Sequence, residues 1–119
     1  MECRILLVED DRANRETVAL LLRQFGYRVD TAVDGAEALA RLGCGTPPCV
    51  IVLDLNMPRV DGWEVLRRRV DDPALAAVPV VVLSALGGAY RGELAALGAQ
   101  DVLQKPAAPE DLLAALRQY

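Results

Sequence analysis

The sequence predicts an α/β fold, a doubly wound sandwich around a five-stranded parallel sheet in the order 2-1-3-4-5. Three observations lead there. Short apolar or β-branched runs alternate five times with stretches that can be helical. Three of the runs are apolar throughout, as in strands buried on both faces of a parallel sheet. The other two carry polar residues and suit the edges. Strands alternating with helices imply right-handed crossovers and a helix-covered sheet. The 119 residues make one domain, 1–119.

The first strand is Ile5-Leu6-Leu7-Val8. Val18, Leu21, Leu22 and Phe25 then recur at helical spacing, with Gly26 as a stop. Arg28 to Ala32 alternates polar and apolar residues and reads as an edge strand. Asp34 with Glu37 three residues on resembles a capping box, and so does Asp61 with Glu64. Gly43 to Pro48 is a loop, because Gly and the Pro-Pro pair break both regular structures. Val50 to Leu53 and Val80 to Leu83 are the other two central strands. Leu86 to Ala96 is a weak helix, since Gly87, Gly88 and Gly92 lower its propensity. Asp101 to Gln104 makes the second edge. Pro109 suits the first position of a last helix, whose apolar stripe is Leu112, Leu113 and Leu116.

Composition narrows the chemistry. There is no histidine, so Ser-His-Asp and Cys-His catalysis and imidazole-bound zinc are excluded. A net charge of −4 disfavours direct nucleic-acid binding, which rests on basic patches. No apolar run approaches the roughly 20 residues of a membrane span, so membrane insertion is not expected. Cys3, Cys44 and Cys49 form no disulfide framework. The expectation is three reduced thiols in a cytoplasmic protein. A Cys44–Cys49 pair across the loop is the redox alternative.

The polar residues that end the strands carry the function. Glu9, Asp10 and Asp11 follow the first, Asp54 ends the third, Ser84 the fourth, and Lys105-Pro106 the fifth. In a sheet of this order ligands sit at the switch point between the first and third strands, so Glu9, Asp10 and Asp54 converge. Like charges 4 Å apart cost about 4 kcal/mol at an effective dielectric of 20. The cluster therefore wants a counter-charge, from Lys105 and from a hard cation such as Mg²⁺ held through oxygen. A carboxylate, a metal, a hydroxyl and an ammonium together suit phosphoryl transfer. Asp54 is then the nucleophile, with Ser84 and Lys105 meeting the phosphoryl oxygens. Each residue alone has a plainer reading, as a helix cap or a surface turn. Convergence on one sheet edge is what argues for a site.

At these positions the chain resembles the response-regulator receiver domain (CheY-like) of two-component signalling. The motifs are Ile5-Leu6-Leu7-Val8-Glu9-Asp10-Asp11, then Val52-Leu53-Asp54-Leu55-Asn56-Met57-Pro58 with Asp61-Gly62, then Val82-Leu83-Ser84-Ala85 and Gln104-Lys105-Pro106. The resemblance covers essentially the whole chain and implies the flavodoxin-like (βα)5 fold. It also implies that Asp54 is the phosphoacceptor, taking its phosphoryl group from a sensor histidine kinase or a histidine phosphotransfer protein. Asp10 is implied as a direct Mg²⁺ ligand, Glu9 as a ligand through water, and Asn56 as a ligand through its carbonyl. Ser84 and Lys105 match the family's hydroxyl and lysine. Such a protein assists only its own phosphorylation and dephosphorylation.

Three departures fall together. Val102 stands where receivers usually carry an aromatic residue, Ala107 where Phe commonly follows Lys-Pro, and Ala108 where a capping Ser or Thr is common. All lie on the face of the fourth helix, fifth strand and fifth helix, which usually engages the downstream protein. Asp101 and Arg117 are the candidates there for a phosphorylation-dependent homodimer contact. The altered face motivates an alternative, a receiver-fold interaction module that signals without phosphorylation. A small-substrate phosphatase is disfavoured, because Asn56 stands where its general acid would be needed.

Overall fold

The computed structural model describes residues 4–55, 62–85, 90–105 and 107–119. Ten elements alternate: β1 (Arg4–Val8), α1 (Arg12–Gln24), β2 (Arg28–Ala32), α2 (Gly35–Leu42), β3 (Val50–Asp54), α3 (Gly62–Asp71), β4 (Val80–Ser84), α4 (Arg91–Ala96), β5 (Ala99–Gln104) and α5 (Pro109–Leu116). The strands form one parallel sheet in the order β2-β1-β3-β4-β5. The apolar runs lie inside and the two polar-bearing strands at the edges, as their composition requires.

Strand alternation sorts the core into two layers. Leu6, Val8, Ile51, Leu53, Val80, Val82 and Val102 pack beneath α2, α3 and α4. Ile5, Leu7, Val50, Val52, Val81 and Leu83 pack beneath α1 and α5. Because side chains alternate with period 2, Glu9, Asp54 and Lys105 continue the alternation of the second layer. All three therefore emerge on the α1–α5 side of the sheet's carboxyl edge.

Helix ends follow local chemistry. The Asp34 side chain accepts from the Glu37 N–H at 2.9 Å and caps α2. Asp11 does the same for α1 through the Asn14 N–H at 2.8 Å. Pro109 opens α5, and Ala108 offers no side-chain cap, at a cost of about 1 kcal/mol. Asp61 and the residues 86–89 that would begin the fourth helix lie outside the described residues.

Three expectations are corrected. Phe25 does not join the buried stripe of α1. It sits past the last turn as the C-cap, largely exposed, where Gly26 at φ 92° turns the chain away. Cys49 is disulfide-bonded rather than a reduced thiol. Cys44 is free and exposed, so the Cys44–Cys49 pair does not form; Cys3 lies outside the described residues.

Arg69 is the least expected core residue. It closes an Arg67-Arg68-Arg69 run, and a charged side chain is rarely buried, yet it is only 2% exposed. Its guanidinium donates to the carbonyls of Val78 (2.6 and 2.8 Å), Ala76 (3.0 Å) and Leu97 (3.2 Å). Burial lowers its pKa from the ordinary guanidinium value, yet an arginine stays charged inside a protein. It ties α3 to the turn before β4 and to the end of α4. Arg69→Met keeps the stem and strands these carbonyls. A stability loss of about 2–4 kcal/mol is expected, from roughly 1–3 kcal/mol per unsatisfied buried group. Urea unfolding checks it, and an unchanged midpoint would show that water replaces the guanidinium.

Candidate functional site

The register assembles the site. Val8 pairs with Leu53, so Glu9 and Asp54 leave the sheet side by side at the β1–β3 switch point. Asp54 pairs with Leu83, and Ser84 with Gln104, which brings the ends of β4 and β5 alongside. The backbone N–H of Lys105 donates to the Ser84 carbonyl at 2.9 Å. This bond carries the lysine over the neighbouring strand ends. Gly62 makes room from the other side. A Cβ there would stand 2.8 Å from the Asp54 carbonyl oxygen and from the Leu55 Cα, so only glycine lets α3 start this close.

Glu9, Asp10 and Asp54 each offer a carboxylate oxygen within 4.8 Å of the others. Glu9 and Asp54 are buried and Asp10 is exposed. Lys105 Nζ lies 2.9 Å from Asp54 Oδ2 and 3.3 Å from Glu9 Oε1. The group opens into a cleft of about 700 Å³ between α1 and the start of α5, whose apolar part includes Val18, Leu83, Ala107 and Leu112. Ser84 is buried at the end of β4, on the alternation that faces α3 and α4, and does not line this cleft.

Charge placement explains the titration. Burial raises the Glu9 pKa above 4.5, and the hydrogen bond and charge of Asp54 raise it further; Asn14 and Lys105 work against them. Burial alone would lower Lys105, but Asp54 and Glu9 outweigh it and lift the ammonium above 10.5. Lys105 is thus a fixed cation between two carboxylates.

Oxygen ligands at this spacing suit one hard divalent cation. The fit has a direct sign. Glu9 Oε2 is buried and has no hydrogen-bond partner among the described residues, an arrangement that costs free energy unless a ligand completes it. Asn56, expected to contribute its carbonyl, lies outside the described residues, as does Pro106.

Two residues at the site escaped the sequence reading. Asn14 donates from Nδ2 to Glu9 Oε1. Arg15 donates from Nη1 to the carbonyls of Glu9 (3.1 Å) and Asp10 (3.3 Å). The available signal was their place in the first turns after the Asp11 cap, within reach of the acidic turn. Trp63, at the start of α3, packs against the core and meets Tyr90 edge-on at 5.6 Å between ring centroids.

Sheets of this order bind at the point where the chain's winding reverses, and here that point holds an acidic crevice with an ammonium across it. Receivers of phosphorelay signalling are the class of protein built this way. The chain belongs to the response regulator receiver domain family, which it matches over residues 5–117. It is 44% identical over 122 residues to the response regulator MprA of Mycobacterium ulcerans, covering 98% of this chain and 50% of that protein. It is 32% identical to protein PilG of Pseudomonas aeruginosa, covering 98% and 86%. The chain thus spans about half the length of MprA. Among solved structures, the chemotaxis response regulator CheY4 of Vibrio cholerae superposes with a TM-score of 0.91 at 33% identity, covering 99% of this chain and 98% of that one. A receiver domain of a Pseudomonas aeruginosa sensor histidine kinase, solved with magnesium in its active-site cleft, gives 0.87 at 29% identity, covering 100% and 98%. No helix among the described residues is long and apolar enough to cross a membrane.

Proposed function

We propose that the chain is a single receiver domain, 1–119, that accepts a phosphoryl group on Asp54. The donor is a phosphohistidine on a partner, a sensor histidine kinase or phosphotransfer protein. With no histidine of its own, the chain cannot supply that donor. The observation that carries the reading is the convergence of Asp54, Glu9, Asp10 and Lys105 on one edge of the sheet.

Each group has a task. Asp54 attacks phosphorus through a carboxylate oxygen as the phosphorus–nitrogen bond breaks, and the imidazole leaves with the partner. Lys105, already 2.9 Å from that carboxylate, offsets charge on the transferred group as a compact ammonium. Ser84, which does not line the cleft, turns towards the transferred group and donates one hydrogen bond to it. Glu9, Asp10, Asp54 and the Asn56 carbonyl would hold Mg²⁺; a relative is solved with that ion in its active-site cleft. When bound, the ion neutralises developing charge on the phosphoryl oxygens. Phosphorylation then shifts the population between two conformations and changes affinity for a downstream protein at the α4–β5–α5 face, in the cytoplasm. A homodimer through that face is the second form this output can take. The protein's chemistry is confined to itself, with no turnover of other substrates.

The test is incubation with a small acyl phosphate and Mg²⁺, read by intact-protein mass. Wild type should gain one phosphoryl group, and Asp54→Ala none. No gain on wild type, or an equal gain on Asp54→Ala, would sink the reading.

A further inference from the structure

Glu9 is held from two directions. Its Oε1 accepts from Asn14 Nδ2 and faces Lys105 Nζ at 3.3 Å, whereas its Oε2 is buried without a hydrogen-bond partner among the described residues. Asn14 is well anchored for this. Its backbone N–H is bound to the capping Asp11 side chain at 2.8 Å. The neighbouring Arg15 fastens the Glu9 and Asp10 carbonyls to the same helix. Only the donor edge of an amide can face a carboxylate, so the direction of Asn14 is decided. One oxygen of Glu9 is therefore pinned to α1 and the other left for a ligand.

We propose that Asn14 is a positioning residue for divalent-cation binding. Its amide holds Glu9 in the rotamer that leaves Oε2 to the cation, and so sets the cation affinity of the cleft. The residue touches neither the phosphoryl group nor the metal; it acts through Glu9, as groups that orient metal ligands do. The inference rests on reading the acidic cleft as a Mg²⁺ site.

The test is a MgCl₂ titration of the full chain followed by amide NMR shifts, on wild type, Asn14→Ala, Glu9→Gln and the double variant. Asn14→Leu is added as a near-isosteric side chain without a donor. Asn14→Ala and Asn14→Leu should each weaken Mg²⁺ binding by about tenfold or more, the range for lost ligand-orienting partners. In the Glu9→Gln background, Asn14→Ala should change affinity less than about twofold, because residues acting through one group are not additive. Equal weakening in both backgrounds would overturn the proposal, since Asn14 would then act on the helix and not through Glu9. Unchanged affinity in the single variants would overturn it too. A wild type without any Mg²⁺-dependent shift would instead remove the metal reading itself, a separable outcome.

Discussion

Replacing Lys105 with methionine should destabilise the metal-free protein by about 2–3 kcal/mol. Breaking a buried ion pair by removing one partner costs about 3–5 kcal/mol. A quarter of the Lys105 side chain is exposed, so water recovers part of that. The loss arises because Glu9 and Asp54, each 2% exposed or less, would face one another without a counter-charge. Methionine keeps the stem's volume, which isolates the charge. Urea unfolding in EDTA measures the effect. Saturating Mg²⁺ should narrow the gap, because the cation supplies the missing positive charge. An unchanged midpoint in EDTA would show that the two carboxylates are already well solvated.

Glu9→Gln should work in the opposite direction. Burial and Asp54 raise the Glu9 pKa above 4.5 in the folded chain, so the folded state binds this proton more tightly than the unfolded state. Below 4.5 both states hold it and no penalty exists. As pH rises from 4.5 through the raised folded value, the unfolded chain releases the proton first and stability falls. Above that window the loss is complete. The raised Lys105 adds no slope here, because its stabilisation is fully present below 10.5. Glutamine does not titrate. At neutral pH in EDTA, Glu9→Gln should be more stable than wild type by about 1–2 kcal/mol, the part of a roughly 4 kcal/mol carboxylate repulsion that Lys105 leaves uncompensated. The advantage should vanish towards pH 4.5. Thermal unfolding across pH checks it, and parallel profiles would show that Glu9 is not raised.

Together these results would describe a site kept at a cost to stability, since the groups that meet a cation and a phosphoryl group repel when both are absent. That tension was partly legible from residue order. Val50 to Leu53 and Val80 to Leu83 announce buried strands, and the acids after Val8 and Leu53 announce where charge gathers. Asp34 and Pro109 mark helix starts that the structure bears out. Three residues were not legible, for three reasons. Phe25 fits a helical period, but the helix ends at Gln24, one residue before it, and Gly26 turns the chain away. Arg69 looks solvated until carbonyls from residues 76, 78 and 97 are brought around it. Cys49 gives no local sign of its bond, because a disulfide depends on spatial proximity alone.

Periodicity and strand-end chemistry were enough to determine the sheet order, the buried stripe of α5 and the edge on which Glu9, Asp10, Asp54, Ser84 and Lys105 stand. These properties are local, arising from alternation along a strand and from short-range capping. Only the tertiary structure decided how those residues meet. It set Lys105 between two buried carboxylates, turned Ser84 towards the opposite layer, and gave Asn14 and Arg15 the acidic turn to hold. Such pairings depend on register between strands far apart in the chain and on a helix laid across their ends, and no single segment encodes either.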